Sequence, residues 1–332
     1  MRELLRKTLL HYTVNALIFS SLFAIYYYHP YYQEFIQSET LGVLKILLLA
    51  YLGLGLPYYL LRFHYFTSRA DYAQDKLVIL GKFFREWFFH KKLRFTPEVK
   101  TALLSYLVKF FFLPLMLNFF FGHFHGVMNA WQEASFHQSF IQFFWDSGYQ
   151  LIYQSIFLID TVVFAIGYAF EFRFLHNRIR SVEPFLSGWM AALLCYPPFS
   201  SVADNFIPLS KVTAWITNGY LLDAMKILIL LAFGVYVWAT LSLGFKASNL
   251  TNRGIVATGP YRFIRHPAYI AKNFAWWLEF LPYLNLKLFL ALIGWGVIYF
   301  FRAITEERHL SLDKDYRAYK AKVKWRFIPR VY

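Results

Sequence analysis

The stretch YLLDAMKILILLAFGVYVWATLSL, residues 220–243, carries Asp223 and Lys226 near its start and then no charge through Leu243. A bilayer hydrocarbon core about 30 Å thick needs roughly 20 mostly apolar residues to be crossed as a helix. The run has that length and is apolar on every face rather than along one stripe, so it predicts a membrane span and not a soluble amphipathic helix. Working outward, comparable runs lie at 9–28, 41–61, 100–121, 149–170, 185–203, 268–283 and 286–303. The expected fold class is therefore all-α: a polytopic membrane helical bundle of about eight transmembrane helices, ending in a C-terminal helical hairpin and a cytoplasmic tail. Composition agrees, with 58% hydrophobic, 22% aromatic and only 16% charged residues.

The formal charge of +15 raises the question of nucleic acid. Lys and Arg fall in discrete clusters between apolar runs, and no sequence pattern of a nucleic-acid module appears. They read as topology signals and as contacts to anionic lipids. The loops 29–40 and 122–148 contain no Lys or Arg, whereas Arg62, Arg69, Lys76, Lys82, Arg85, Lys91, Lys92 and Arg94, then Arg173, Arg178 and Arg180, then Lys246, Arg253, Arg262 and Arg265 follow the alternate spans. That alternation puts both termini in the cytoplasm, of a bacterial inner membrane or an endoplasmic reticulum. The first run follows Arg2, Arg6 and Lys7 but meets no small-residue cleavage site, so it reads as a retained span. Cys195 is the single cysteine, which excludes an intramolecular disulfide and a cysteine-rich metal cluster. No metal site and no obligate protein partner is expected.

Between spans, residues 62–96 interleave charge with Phe83, Phe84, Trp87, Phe88 and Phe89, the pattern of an amphipathic helix lying in the cytoplasmic interface. Trp131 to Trp145 form a second aromatic segment on the outer side. The run 268–283 is short and holds Lys272, Asn273 and Glu279. Such a helix is costly in lipid unless its polar face meets protein, water or ligand, so the hairpin it opens is expected to line a cavity. The expected division is an N-terminal transmembrane region, 1–220, and a C-terminal membrane core with a cofactor pocket, 221–332.

Chemistry concentrates between Leu250 and Tyr332. Gly259-Pro260-Tyr261 leads through Arg265-His266-Pro267-Ala268-Tyr269 into the hairpin, and Arg302-Ala303-Ile304-Thr305-Glu306-Glu307 follows it. Pro267 suits the first position of a helix, which places Arg265 and His266 at a helix N-terminus, where anions are favoured. Two basic groups there suit a carboxylate, and the hairpin returns Glu306 and Glu307 to the same membrane face. One glutamate can bind hydroxyls while the other pairs with Arg265 or Arg302.

Taken together, Gly-x-Tyr-x-x-x-Arg-His-Pro-x-Tyr, a hairpin and Arg-x-x-x-Glu-Glu resemble the isoprenylcysteine carboxyl methyltransferase and phospholipid methyltransferase family of integral membrane enzymes. The resemblance covers about the last ninety residues. It implies S-adenosylmethionine as cofactor and methyl transfer to a membrane-embedded acceptor, a lipidated cysteine carboxylate or a lipid head group. It implies cofactor contacts at Gly259, Tyr261, Arg265, His266, Pro267, Tyr269, Arg302, Glu306 and Glu307, with Arg265 and Glu307 closest to the chemistry. The chain departs from the family in Lys272, which follows the small residue Ala271, and in the stretch Leu310–Asp315, which lacks the usual Phe-Gly.

Two other classes compete. Membrane sterol reductases, which use NADPH, share a similar hairpin and a Tyr-rich tail, but have Asn where this chain has Ala268. A transporter or scaffold built on Asp160 and Lys109 would leave the C-terminal motif without a role. An acid within a span is a functional candidate by default, and Asp160 is expected to pair with Lys109. His123-Phe124-His125 reads as interfacial rather than metal-binding, Tyr316 and Tyr319 as packing, and Lys320, Lys322, Lys324 and Arg326 as a lipid-facing basic strip.

Overall fold

A computed structural model describes residues 2–65, 76–90, 95–134, 139–211 and 213–331. Arg69, Lys91, Lys92 and Arg94 of the predicted cytoplasmic clusters lie outside the described residues, as do 135–138 of the outer aromatic segment and the side chains of Arg2, Arg6, Lys7, Arg62, Arg85, Phe88, Phe89 and Arg173. The chain divides into two compact units, Met1–Phe121 and Gly122–Tyr332.

The first unit is built from α1 (Arg2–Tyr28), α2 (Pro30–Phe35), α3 (Ser38–Tyr65), α4 (Lys76–His90) and the start of α5 (Pro97–Gln132). Helices α1 and α3 pack along each other. Between them the buried Asn15 amide meets His11 at 3.2 Å and donates to the Tyr59 hydroxyl at 3.3 Å, the kind of interhelical polar contact that fixes register in lipid. Helix α4 buries Leu77, Val78, Leu80 and Phe83 and exposes Lys82, Phe84, Glu86 and Trp87. The amphipathic helix expected between the second and third spans is present.

The second unit takes the remainder of α5, then α6 (Phe140–Ala169), which passes through one π turn at Phe144–Gly148. After a loop come β1 (Ser181–Val182), α7 (Leu186–Leu193), α8 (Phe199–Phe206) and α9 (Gly219–Leu243). Strand β2 (Thr251–Asn252) pairs antiparallel with β1. The chain finishes with α10 (Pro267–Phe280), α11 (Leu286–Leu310) and α12 (Lys314–Lys322). Helix α9 packs on both α6 and α10, around a core of Ile156, Ile229, Ala232, Phe233 and Ala275. Helix α11 packs on α7.

The chain is a multi-pass, all-α membrane bundle. Five helical segments are long and apolar enough to cross a membrane: Ser38–Leu61, Pro97–Gln132, Phe140–Ala169, Gly219–Lys246 and Leu286–Leu310. The expected count of eight differs at three places. The run 9–28 does form a helix, Arg2–Tyr28, but His11, Tyr12, Thr13 and Asn15 dilute its apolar character. The run 185–203 is broken at Pro197-Pro198, which remove two backbone donors, and it folds as two eight-residue helices. The run 268–283 gives a 14-residue helix, about 21 Å long at 1.5 Å per residue and so shorter than the hydrocarbon core.

Candidate functional site

The site begins where α9 ends. Gly244 (φ +53°) stops the helix, and the chain crosses the end of the bundle to Gly259 (φ +59°), the first residue of the 3-10 turn Gly259–Arg262. A side chain at Gly259 would adopt a left-handed backbone and collide with Ser242 on α9, so glycine alone fits there. This close approach sets Tyr261 against the helical core. Pro267 then opens α10, as its fixed φ favours.

The C-terminal tail is pinned beside this turn. The backbone amides of Arg265 and His266 donate to the carbonyls of Trp325 and Arg326, each at 3.0 Å. The Tyr319 hydroxyl donates to the Tyr261 carbonyl at 2.7 Å, and Tyr316, Tyr319 and Val323 pack on Ile255, Tyr261 and Leu310. Tyr316 and Tyr319, expected to pack, do so here and also line the large cavity described below. Asp313 caps α12 and receives Asn252 at 2.9 Å and Arg180 at 3.1 Å. Burial opposes its charge, but these donors and the Asp315 amide outweigh it and hold the carboxyl below its ordinary range.

Glu307 is the knot of the assembly. It is buried at 2% exposure, and its carboxylate meets Arg265 Nε at 2.8 Å, Arg326 Nε at 2.9 Å, His266 Nε2 at 3.2 Å and Lys320 Nζ at 3.2 Å. Arg265 also donates Nη1 to the carbonyls of Val323 (2.8 Å) and Lys324 (2.6 Å). The anion held by the Arg265–His266 pair is therefore the protein's own carboxylate. Lys320 and Arg326, read from the sequence as part of a lipid-facing strip, instead turn inward onto it. Both are bonded across chain separations that no local pattern reports.

Glu306, one residue earlier and about 100° around the helix, faces the other way. It accepts the Tyr269 hydroxyl at 2.6 Å and lines a cavity of roughly 1090 Å³, its mouth included. Tyr261, Arg265, His266, Tyr269 and Arg302 line the same space, so six of the nine expected residues meet there. Glu307, Gly259 and Pro267 stand behind it. A smaller cavity of about 390 Å³ shares Tyr269, Arg302 and Glu306 with the first and extends to Glu183 and His309.

Arg302 sits where the two cavities meet. It is buried, donates Nη2 to Asn249 Oδ1, and lies over the rings of Tyr269 (5.2 Å), Tyr196 (5.6 Å) and Tyr299 (5.8 Å). Among the described residues no carboxylate lies within ion-pair distance of it. Lys246, Arg253 and Lys272 add positive charge to the lining. Arg253 is buried, donating to the carbonyls of Gly167 (2.5 Å) and Asn177 (3.2 Å), with its Nη2 unpartnered. The sequence did not single out Asn249, Tyr196 or Tyr236, and marked Arg253 only as a topology signal. Arg253 and Asn249 lie in the loop before the motif, where only their nearness to it could have drawn notice.

Residues 224–317 match the phospholipid methyltransferase family. The matched segment runs from the second turn of α9 into the first turn of α12 and contains every expected site residue. It agrees with the resemblance drawn from the motifs and supports a membrane methyltransferase. No curated protein matches the chain. Elsewhere in the second unit, His123 bonds Gln154 at 2.8 Å, and no group of three or more metal-ligating side chains forms among the described residues. Asp160 takes hydrogen bonds from Thr240 and Tyr236.

Proposed function

We propose that the methyltransferase segment transfers a methyl group from S-adenosylmethionine to an acceptor embedded in the membrane, with both termini of the chain in the cytoplasm. The observation that carries this reading is the pairing of a buried guanidinium lacking a carboxylate, Arg302, with a cavity-facing carboxylate, Glu306, on one turn of α11. A buried cation of this kind is costly until an anion meets it. The cofactor has one carboxylate, and its ribose hydroxyls and ammonium need an acceptor, so the residues present fit it. Arg302 would receive the carboxylate and Glu306 a ribose hydroxyl or the ammonium. Tyr196, Tyr261 and Tyr299 offer faces that suit an adenine ring or a sulfonium cation.

Bound there, the cofactor supplies an electrophilic methyl carbon on sulfur. The protein's contribution is alignment and exclusion of water rather than strong acid catalysis. Arg265, His266 and Glu307 serve by clamping the tail and the turn Gly259–Arg262 against the helix ends, which keeps Tyr261 and Tyr269 in place. The acceptor would be a lipid head group or a lipidated cysteine carboxylate, reaching the cavity with its tail in the bilayer. Thermal unfolding of the detergent-purified protein tests this. S-adenosylhomocysteine should raise the transition temperature in a concentration-dependent way and NADPH should not. Stabilisation by NADPH alone would point to a reductase.

A further inference from the structure

One polar cluster in the second unit has no part in the site just assigned. Asp160 lies within the membrane-crossing helix α6, 6% exposed, and its two carboxylate oxygens accept from different residues of α9. Thr240 Oγ1 donates to Oδ1 at 2.6 Å, and the Tyr236 hydroxyl donates to Oδ2 at 2.9 Å. Tyr236, Thr240 and Lys272 line the large cavity, as Arg302 and Glu306 do. Lys272, from α10, places its ammonium 5.3 Å from the centre of the Trp276 ring and 5.7 Å from that of Tyr236. That ammonium has neither a hydrogen-bond partner nor an ion pair among the described residues. Around the cluster stand Arg302 and Tyr299 from α11, His123 from α5, and Cys195 and Tyr196 from the break between α7 and α8.

A carboxylate held by two hydroxyls would suffice as glue between α6 and α9, but glue needs no unpaired ammonium beside it. A charge left without a counter-ion inside a membrane bundle is costly and calls for a partner. Arg302 is assigned to the donor's carboxylate, so Lys272 calls for a second anion in the same cavity. An acceptor that arrives ionised, such as a carboxylate, would leave the Asp160–Tyr236 pair no proton to take. An acceptor ammonium would meet Lys272 as a like charge. A hydroxyl that becomes an anion by losing its proton in the cavity uses both groups, the pair to take the proton and Lys272 to stabilise the oxyanion. Among hydroxyls a phenol, with a pKa of about 10, is acidic enough for this, and the rings of Phe164 and Tyr236 offer its own ring a face.

We propose that the methyl acceptor is the phenolic hydroxyl of a lipid-soluble molecule, with Tyr236 and Asp160 taking its proton and Lys272 holding the phenolate. This rests on the methyl-transfer reading above. The phenol gives its proton to the Tyr236 oxygen as the tyrosine's own proton passes to Asp160 Oδ2. A lone pair of the phenolate oxygen then bonds the methyl carbon, and the carbon–sulfur bond of the sulfonium donor breaks with its electron pair left on sulfur. The products are an aryl methyl ether and a neutral thioether, with the proton on Asp160 returned to solvent. Tyr236 and Lys272 touch the acceptor, and Asp160 is a positioning residue that acts through Tyr236.

The test uses the full chain in vesicles with radiolabelled methyl donor and four probes: a long-chain 4-alkylphenol, its 2-nitro derivative, phosphatidylethanolamine and N-acetyl-S-farnesylcysteine. The wild type should methylate the alkylphenol, at a rate that falls at low pH. Y236F and D160N should lower kcat on it by about 100-fold or more, the range of a positioned proton acceptor, and regain rate as pH rises. The nitrophenol is already ionised at neutral pH, so Y236F should turn it over within about tenfold of wild type. K272M should slow both phenols by about 100-fold or more, the size of a lost oxyanion partner. Y236F removes one oxygen only and covers the case in which D160N fails to fold. If wild-type protein that binds S-adenosylhomocysteine leaves the alkylphenol unmethylated, or if Y236F is equally slow on both phenols or as fast as wild type on the alkylphenol, the proposal is overturned and the methyltransferase reading stands. Failure of the wild type to bind S-adenosylhomocysteine would instead overturn the reading on which the proposal rests.

Discussion

Glu307 and Arg302 lie five residues apart on α11, both buried, and their surroundings are opposite. The Glu307 carboxylate has four basic partners, Arg265, His266, Lys320 and Arg326. The Arg302 guanidinium has an amide oxygen and three tyrosine rings, and no carboxylate among the described residues. A buried charge that the protein satisfies itself is part of the scaffold. One that it leaves open is a demand for a ligand. The two ends of this short stretch teach how to separate the residues that hold a site together from those that hold what enters it.

The contrast breaks most visibly at its saturated end. Glu307→Gln keeps the shape but leaves Arg265 buried and unpaired, which should cost about 3–5 kcal/mol. Denaturant unfolding and faster proteolysis of the tail after Leu310 would report it. The tail staying protected in this variant would show that Glu307 is not the knot. Tyr269→Phe strikes the open end, removing the hydroxyl that Glu306 accepts at 2.6 Å. A hydrogen bond to a charged group is worth about 1.5–3 kcal/mol, so denaturant unfolding should show a loss of up to that size, and calorimetry should show weaker binding of S-adenosylhomocysteine because Glu306 is no longer held in place. The smallest effect should come from Lys320→Met. Its side chain is 43% exposed, and water screens such a pair, so a loss below about 1 kcal/mol is expected despite its 3.2 Å distance to Glu307.

The sequence showed the hairpin and most of the site because the motif is nearly contiguous, so spacing alone placed Tyr261, Arg265, His266 and Tyr269 at one helix entrance. It could not tell Glu306 from Glu307. Adjacent positions on a helix point about 100° apart, and the rotation of α11 is fixed by packing against α7 and by the tail. Nor could it show that Lys320 and Arg326 fold back to Glu307, or that Asp160 meets Thr240 and Tyr236 some eighty positions away, since these are tertiary contacts. Among the spans, 185–203 was read by its apolar count, while Pro197-Pro198 decided its conformation. The short helix Pro267–Phe280 was read correctly as polar on one side, with Lys272 facing the cavity.

The most direct test is calorimetric titration of S-adenosylhomocysteine into the wild type and Arg302→Met. If the open guanidinium receives the ligand's carboxylate, its removal forfeits about 2–5 kcal/mol, so the dissociation constant should rise by about 30-fold or more while unfolding stability is unchanged or improved. Binding of wild-type strength by a folded Arg302→Met protein would contradict the assignment of Arg302 to the ligand.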